Sequence, residues 1–352
     1  MTRIALVVVN YRTAELTARA IATAGAASSS AIEVVVVDNS GDEGERKQLA
    51  ELGVDRILDA PSNPGYGGGA NLGVAATRGE IVLIANPDVE LAPGSIDRLV
   101  ESVSLRRTGL AGPSFSWDHA GEWLLPHPEV PTRHREVARI LAGRSAAFGA
   151  RWRRNRQRAR VRAWMLRDRT DVPALSGALL CVRRDVFDAV GGFDPRFRLY
   201  FEEVDLALRI RRRGLRVVFD PGATCRHAYA QSAGRSDHAG ALYLESEERF
   251  LAKWYGRRFA RFAVGTRRPL RPRLEWTDAP MDRPIELPPG RWLAEASPLE
   301  DMATAAGAFI ESGPLRIPEE IRASYRGDAL FVRVSDPGSG REVAAIRLVR
   351  LH

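Results

Sequence analysis

Cysteine is scarce in this chain of 352 residues, which holds only Cys181 and Cys225. Neither belongs to a C-x-x-C pattern, which argues against a disulfide framework and against a zinc cluster built on cysteine. We therefore expect a protein of a reducing compartment, the cytoplasm, without a structural metal cluster.

Long apolar runs are also missing. The first run, Ile4 to Val9, is six residues long and is followed at once by Asn10, Tyr11 and Arg12. It is too short for the apolar part of a signal peptide, and no run approaches the ~20 residues of a membrane-spanning helix. The sequence thus predicts a soluble protein, or one bound peripherally to the inner face of the plasma membrane.

Lysine is nearly absent, with Lys47 and Lys253 alone in a chain of net charge +8. Thirteen arginines and two acidic residues lie in segment 133–169, so this segment carries +11 and the remainder −3. No proline interrupts residues 132–172, and apolar residues recur among the arginines, which predicts a basic helical insertion. No nucleic-acid-binding signature accompanies the charge, so we expect no nucleic-acid partner.

Strands and helices alternate through the first hundred residues. Helices are expected from Thr13 as a capping residue to about residue 26, over 42–52, up to about 78, and over 93–105. The alternation predicts an α/β fold with a mostly parallel sheet and helices on both faces. Short β-branched runs predict the strands Arg3 to Val9, Ile32 to Val37, Val54 to Leu58 and Glu80 to Ala85.

Polar residues follow these strands, at the edge where such folds bind ligands. Asp38 could accept a hydrogen bond from the imide of a uracil or thymine base, or it could form an Asx turn. Asp88, in Asn86-Pro87-Asp88, could hold a divalent cation that bridges to a diphosphate. The alternative for this tripeptide is a turn before Pro93.

A glycine-rich stretch, Asn63 to Asn71, is predicted to be a loop that opens a helix. Its backbone N–H groups could approach a ligand closely, and the plain alternative is a flexible turn. Gly65-x-Gly67-x-x-Ala70 also matches a dinucleotide fingerprint, which would suggest a nicotinamide-type oxidoreductase. That match is weak because the fingerprint belongs after the first strand, and this stretch follows the third.

An acidic cluster, Glu202, Glu203 and Asp205, lies among apolar residues where a helix is predicted to begin. Carboxylates in the first turn complement the helix dipole. One of them could instead act as a general base on an acceptor hydroxyl. Both interpretations stay open on these residues alone.

In their order and spacing, these motifs resemble family 2 of the nucleotide-sugar glycosyltransferases, which have the GT-A fold, and within it a bacterial rhamnosyltransferase-like branch. The resemblance covers residues 3–255. Each motif is weak alone, and the ordered set is specific. The matching motifs are Val9-Asn10-Tyr11, Val36-Val37-Asp38-Asn39-Ser40, Asn63 to Asn71, Asn86-Pro87-Asp88, Gly191-Gly192-Phe193-Asp194 and Phe201-Glu202-Glu203-Val204-Asp205-Leu206.

The resemblance implies a role for each matching position. Glu203 would be the catalytic base, with Glu202 beside it, and Asp205 would support the site or contact the acceptor. Asp88 would bind Mg²⁺ or Mn²⁺, joined by His227 and with Ser232 nearby. Asn86 stands where the family has the first acid of its Asp-x-Asp motif. Asp38 would bind the base, and the nucleotide-sugar site would further include Val9, Asn10, Tyr11, Asn63, Gly65, Tyr66, Gly67, Asn71 and Asn86.

The implied reaction is an inverting, metal-dependent transfer of a sugar from a nucleotide diphosphate to a hydroxyl of a glycan or lipid-linked acceptor. The preferred donor is dTDP-rhamnose, with other dTDP- or UDP-sugars as alternatives. Asn86 also keeps open a nucleotide-sugar-binding protein without turnover. Ser176-Gly177-Ala178 would flank the acceptor pocket. Segment 133–169 would suit an anionic membrane surface, or it is a solvated basic face or a partner helix.

Composition changes after residue 268. Six prolines between Pro269 and Pro289 predict an extended connection. Short apolar stretches after residue 273 predict a small β-rich domain, with a hairpin at Asp336 to Gly340. We therefore expect a catalytic domain over residues 1–268 and a connection with an accessory domain over 269–352. Acceptor binding, self-association into a homo-oligomer and stabilisation are its open roles.

Overall fold

The structure is a computed structural model that describes residues 2–228, 238–271, 274–311 and 313–350. The larger of its two sheets contains β1 (Ile4–Asn10), β2 (Ile32–Asp38), β3 (Arg56–Asp59), β4 (Ile81–Ala85), β5 (Val89–Leu91), β6 (Thr108–Ser116), β7 (Thr170–Asp171), β8 (Leu179–Arg183) and β9 (Arg216–His227). Their order is β3-β2-β1-β4-β8-β6-β9-β5, with β7 beside β9.

The described helices before residue 270 follow the predicted alternation. None of the described helices is both long enough and apolar enough to cross a bilayer. They are α1 (Ala14–Ala27), α2 (Glu43–Ala50), α3 (Gly65–Ala76), α4 (Ser95–Ser104), α5 (Arg133–Arg144), α6 (Ala146–Trp164), α7 (Arg184–Val190), α8 (Glu202–Arg212), α9 (His238–Tyr255) and α10 (Arg257–Gly265).

All seven residues of strand β1 are buried, as expected for a strand inside the parallel part of the sheet. It pairs in parallel with β2 and β4. Six of the nine described strands run in one direction, whereas β5, β7 and β8 run against them. Successive residues Leu6 and Val7 belong to different apolar cores, one on each face of the sheet. The predicted α/β, GT-A-type fold class with a small second β unit is confirmed.

The basic segment is helical, as predicted, but in two pieces, because Ser145 has an extended backbone between α5 and α6. Its arginines do not all face solvent. Arg160 and its neighbour Gln157 are buried against the second sheet. On α5, the buried Glu136 accepts a hydrogen bond from Arg267 at 3.0 Å. Part of the segment therefore joins the two sheets, while Arg144, like several others, is exposed.

The second sheet contains β10 (Thr277–Pro280), β11 (Trp292–Ser297), β12 (Ala306–Ile310), β13 (Ala329–Ser335) and β14 (Glu342–Val349). Its order is β10-β14-β13-β11-β12, and β13 and β14 form the predicted hairpin. One of the short apolar stretches that predicted the β-rich domain is Ile321 to Tyr325. Most of it is not a strand but lies in a short helix, α11 (Glu319–Ser324).

The core of the second unit also receives residues from the first part of the chain. Trp117 and Trp123, which precede the basic segment, are buried in the same core as Leu330 and Val332. Residues 269–352 alone therefore do not complete this core. The domain division after residue 268 stays a prediction.

Candidate active site

The carboxyl ends of β1 and β2 place Asn10 and Asp38 side by side. Both are buried, and Asn10 Nδ2 donates to Asp38 Oδ1 at 3.0 Å. Asn10 Oδ1 accepts from the hydroxyls of Thr13 and Thr17, each at 3.0 Å. Thr13 therefore does not cap α1 with its side chain, which corrects the prediction. It fixes Asn10, and through Asn10 the position of Asp38.

Asp38 turns the chain at the end of β2. Its Oδ1 accepts from the backbone N–H of Ser40 at 3.0 Å, and its Oδ2 accepts from the Ser40 hydroxyl at 2.9 Å. Asp38 thus makes the Asx turn, and Oδ2 keeps a lone pair for one further donor. Tyr11 is 49% exposed just after β1, whereas Val9 is buried and packs against Gly69.

The glycine-rich stretch is not a loop, because α3 begins at Gly65 itself. Gly65 has a φ of +82°, and a Cβ there would overlap the carbonyl oxygen of Arg198. The first two N–H groups of the helix are already bonded. That of Gly65 donates to Asn63 Oδ1 at 3.2 Å, and that of Tyr66 donates to the Arg198 carbonyl at 3.0 Å. These two groups therefore hold the fold, and the predicted approach of the stretch to a ligand stays a prediction.

Gly67 and Asn71 hold the Gly-Gly-Phe-Asp motif. Asn71 Nδ2 donates to the carbonyl oxygen of Phe193, and Asn71 Oδ1 accepts from its backbone N–H, both at 2.9 Å. A Cβ at Gly67 would lie 3.0 Å from Phe193 Cβ, so only glycine leaves this ring its place. Both residues thus have a packing role, and their predicted contact with the nucleotide stays a prediction.

Asp88 and His227 meet where β5 pairs with β9. His227 Nε2 lies 3.2 Å from Asp88 Oδ1, and the two side chains are 13% and 3% exposed. Burial would raise the pKa of Asp88, but the charge of His227 beside it, with smaller contributions from its own backbone and Arg226, lowers that pKa below its usual value. Asp88 is therefore a carboxylate at neutral pH.

This pair fits a divalent cation. Asp88 Oδ1 is a buried oxygen that faces His227 without a well-aligned hydrogen bond. Mg²⁺ is usually held by one or two carboxylates together with substrate phosphates. Across the described ranges, no three His, Cys, Asp or Glu side chains cluster as a closed protein cage. Asn86, at the end of β4, donates its backbone N–H to the Ala178 carbonyl at 2.8 Å, and Ser232 lies outside the described residues.

Two strained residues precede the acidic cluster. Tyr200 and Phe201 have φ values of +68° and +69°, which side chains with a Cβ rarely adopt and which cost energy. Helix α9 holds both rings. Tyr243 lies 5.4 Å from Tyr200 and 5.2 Å from Phe201, and Phe250 lies 5.5 Å from Phe201, between ring centroids. Aromatic packing therefore maintains the turn that starts α8.

Glu202 and Glu203 begin α8 directly after that turn. Burial raises the pKa of Glu203 to about 7. Burial, and then the charge of Glu203, raise the pKa of Glu202 well above its usual range. The pKa values of both carboxyl groups are therefore raised, and Glu203 titrates near neutral pH. A carboxylate with such a pKa can take up a proton.

Asp205 is fully buried, and its carboxylate is surrounded by donors of the protein. Arg209 Nε donates to it at 2.7 Å, Trp254 Nε1 at 2.9 Å, and Lys253 Nζ lies at 2.6 Å. Lys253 also pairs with Asp194 of the Gly-Gly-Phe-Asp motif at 2.7 Å. These contacts favour the first of the two predicted roles of Asp205, support of the site.

Tyr66 lies between the Asp88–His227 pair and the Glu202–Glu203 pair. Its hydroxyl donates to the Gly177 carbonyl at 2.8 Å. Burial raises the pKa of Tyr66 well above 10, and the charges of Glu202, Glu203 and Asp88 raise it further. The Gly177 that accepts from Tyr66 also packs against Glu203. Asp88 and Glu203 therefore both lie near Tyr66, and the region around this phenol is called the cleft below.

Some functional residues could not be found from the sequence. The positive φ values of Tyr200 and Phe201 leave no trace in the residue types, since both are ordinary aromatic residues. Lys253 did leave a signal, because it is one of two lysines in an arginine-rich chain. Its two carboxylate partners explain why a compact ammonium group stands there.

Fold and site together define a class of enzyme. A carboxyl group with a pKa near neutrality lies in one cleft with an acid–imidazole pair, beside the carboxyl edge of a parallel sheet. Such an arrangement suits removal of a proton from an alcohol while negative charge departs nearby.

The family model described as "Glycosyltransferase like family 2" matches residues 2–242, and the chain belongs to this family. It is a glycosyltransferase, as predicted, and the oxidoreductase alternative has no support.

The relatives agree with the predicted branch. An N-acetylglucosaminyl-diphospho-decaprenol L-rhamnosyltransferase of Mycobacterium tuberculosis (strain H37Rv) is 30% identical over 273 residues, covering 71% of this chain and 85% of the relative. A hexosyltransferase of low-salt glycan biosynthesis from Haloferax volcanii is 24% identical over 253 residues, covering 71% and 75%. Among solved structures, a mannosyltransferase from Pyrobaculum calidifontis in complex with GDP-Man and Mn²⁺ has a TM-score of 0.49 at 16% identity, covering 75% and 72%.

Proposed function

We propose that this chain is an inverting hexosyltransferase that moves rhamnose from dTDP-rhamnose to a hydroxyl of a lipid-linked glycan. The observation that carries the proposal is Glu203, whose pKa of about 7 suits a general base. It shares a cleft with Asp88, which is paired with His227.

In the proposed reaction, the acceptor hydroxyl gives its proton to Glu203 while its oxygen bonds to the anomeric carbon of the donor. The bond from that carbon to the diphosphate oxygen breaks on the opposite face, and its electron pair leaves with the nucleoside diphosphate. One displacement of this kind inverts the anomeric configuration. Glu203 afterwards releases the proton to solvent.

The nucleotide would lie along the ends of β2, β1 and β4. Asp38 Oδ2 would accept the imide N–H of the thymine base, because the Ser40 hydroxyl leaves that oxygen one lone pair. Asp88 and His227 would hold Mg²⁺ or Mn²⁺, which neutralises charge on a departing diphosphate. Tyr66 lines the wall between this pair and Glu203.

The choice of sugar and acceptor draws on the mycobacterial relative, whose name gives rhamnosyl transfer to a sugar on a diphospho-polyprenol. We propose the same two classes here, with other dTDP- or UDP-sugars as the alternative donors. A nucleotide-sugar-binding protein without turnover is the less well supported alternative. A binding role would not require a buried carboxyl held near its pKa.

A lipid-linked acceptor requires approach to a membrane, and we propose that α5, the start of α6 and α10 meet an anionic bilayer from the cytoplasmic side. Arg133 links α5 to α10, since its guanidinium lies 5.6 Å from the Phe259 ring centroid. Apolar side chains ringed by arginine suit an anionic interface. Exposed apolar residues are Val137, Leu141, Phe148 and Phe262, and exposed arginines are Arg133, Arg144, Arg151, Arg257, Arg258 and Arg261.

Sedimentation with vesicles tests this surface. We expect binding to vesicles that contain anionic phospholipid and little binding to neutral ones, because the attraction is chiefly electrostatic. Absence of binding to anionic vesicles at moderate salt would contradict the membrane proposal and leave the transfer reaction untouched. Self-association stays a prediction.

The reaction itself is tested with dTDP-rhamnose, UDP- and GDP-sugars, and N-acetylglucosaminyl diphosphate on a short prenyl chain as acceptor. Mass spectrometry follows the product, and NMR gives its anomeric configuration. We expect transfer from dTDP-rhamnose with inversion, lost in chelator and restored by Mg²⁺ or Mn²⁺. Retention of configuration would contradict the single displacement, undiminished transfer in chelator would contradict the cation, and binding without turnover would favour the alternative.

A further inference from the structure

A cavity of about 400 Å³ lies beside the cleft. It is bounded by β6, β9, the chain at 121–127 and the end of α6. Its volume is within the ~300–1,000 Å³ that small-molecule sites occupy. The residues that decide its chemistry are Ser114, His127, Trp164, Ser176, Phe219 and Thr224.

Two contacts connect the cavity to Glu203 and His227. Ser176 lines it, and the next residue, Gly177, packs against Glu203, since a Cβ on Gly177 would lie 3.3 Å from Glu203 Cβ. Phe115 also lines it, and its ring centroid lies 5.7 Å from that of His227. The cavity therefore adjoins both Glu203, the candidate base, and the Asp88–His227 pair.

The walls suit an uncharged ring that carries hydroxyl groups. Trp164 and Phe219 offer aromatic faces, and Ser114, Ser176 and Thr224 offer hydroxyls. Burial lowers the pKa of His127 to about 4, so its imidazole is neutral and can both donate and accept. No carboxylate is among the described lining residues, which gives the cavity no attraction for a cationic ligand. Arg167 also lines it, and its guanidinium donates to the carbonyls of Trp164 and Leu166, both at 3.1 Å.

The second unit supports the outer wall. Leu124 exchanges two backbone hydrogen bonds with Gly307 of β12, at 2.8 and 2.9 Å. Trp164 Nε1 donates to the carbonyl of Leu125 at 3.1 Å. The Trp164 ring lies so close to Gly307 that an added Cβ would overlap it. The position of the Trp164 ring thus depends on a glycine of the accessory sheet.

We propose that this cavity is the subsite for the sugar ring of the acceptor, with its outer wall set by the contact between Trp164 and Gly307. This rests on the proposed function, since it supplies the place from which an acceptor hydroxyl reaches Glu203. It also gives the second unit a role in acceptor binding.

The first experiment narrows the cavity with Ser114→Phe and measures Michaelis constants with N-acetylglucosaminyl diphosphate on a short prenyl chain. Ser114 lies in β6 opposite Thr224, so a larger side chain would enter the cavity. We expect the KM for the acceptor to rise at least tenfold, with a much smaller change in the KM for the nucleotide sugar. The same substitution at exposed Ser104 on α4 is the matched control. An unchanged acceptor KM in folded Ser114→Phe would overturn the proposal.

The second experiment acts through the accessory sheet. Gly307→Ala would displace the Trp164 ring, so we expect the acceptor KM to rise while hydrolysis of the donor without acceptor stays within twofold. Gly338→Ala, whose Cβ would meet Asp336 Oδ1 at an ordinary 3.5 Å, is the control. Equal behaviour of the two variants would contradict the role of the Trp164–Gly307 contact.

A binding readout separates this proposal from the proposed function. Addition of the acceptor should change tryptophan fluorescence, and Trp164→Phe should remove that change. If the wild-type chain hydrolyses the nucleotide sugar but the acceptor leaves Trp164 fluorescence unchanged, the cavity proposal fails alone. If the wild-type chain neither hydrolyses nor transfers any sugar nucleotide, the proposed function fails.

Discussion

Two glutamates in this molecule have opposite surroundings. Glu295 of β11 is fully buried, and Arg160 and Arg333 each pair with it at 2.5 Å, while Gln157 donates to it at 2.9 Å. Glu203 is half-buried at the start of α8, and no basic side chain of the described residues contributes to its pKa.

The difference decides what each carboxyl group does. Burial would raise the pKa of Glu295, but its two arginines reverse the shift and lower it. Desolvation raises the pKa of the half-buried Glu203 to about 7, because no cation compensates it. A carboxylate removed from solvent therefore becomes a proton acceptor only where no basic side chain pairs with it. The paired carboxylate of Glu295 instead connects α6 to the second sheet.

The largest expected effect is on catalysis. Glu203→Gln should lower kcat by about 10²–10⁴-fold, the contribution of a general base, while calorimetry shows unchanged donor binding. Glu202→Gln is the matched control, since it makes the same substitution at the neighbouring position of α8. A loss in Glu202→Gln as large as in Glu203→Gln would reverse the assignment of the two residues.

The second effect is on stability. Glu295→Gln leaves Arg160 and Arg333 buried without their counter-charge, which should cost about 3–5 kcal/mol of unfolding free energy. Urea denaturation measures it. Glu311→Gln, which removes the 72%-exposed partner of Arg291, should change stability by no more than about 0.5 kcal/mol. Equal losses of unfolding free energy in both variants would show that burial of the ion pair does not affect its contribution to stability.

The pH dependence sharpens the comparison further. Because the base acts as a carboxylate, kcat/KM should fall about tenfold per pH unit below the apparent pKa near 7 and reach a plateau above it. The apparent value belongs to the Glu202–Glu203 pair. A profile from pH 5.5 to 8.5 with saturating cation measures it. A flat profile across pH 6 to 8 would contradict the raised pKa.

The smallest effect is a gain of stability. The raised pKa of Glu203 means that the folded chain favours the protonated carboxyl, so its ionisation costs stability increasingly as pH rises from about 4.5 through 7. Glu203→Gln should therefore stabilise the fold at pH 8 by on the order of 1–2 kcal/mol, and hardly at all at pH 4.5. Calorimetric Tm values at both pH values test the sign, and a Tm that falls at pH 8 would refute it.

The predictions from the sequence were strongest where periodicity or motif order governs structure. The alternation of strands and helices and the motif set from Asn10 to Glu203 are local patterns, and they predicted the fold class and family. The glycine-rich stretch was misread because glycine serves flexible loops and close packing alike. Only the contact of Gly65 with Arg198 distinguishes the two.

By itself, the sequence determined the α/β architecture, the family and the acidic residues at the strand and helix ends. Apolar periodicity and residue chemistry act over a few neighbours, so they are legible along the chain. Tertiary structure alone decided which carboxylates are compensated. The pKa of a buried group depends on charges that lie far away in sequence, such as Arg160 and Arg333 around Glu295. The same dependence on distant neighbours separates Glu203, whose pKa is raised to about 7, from Asp205, which is paired with Lys253.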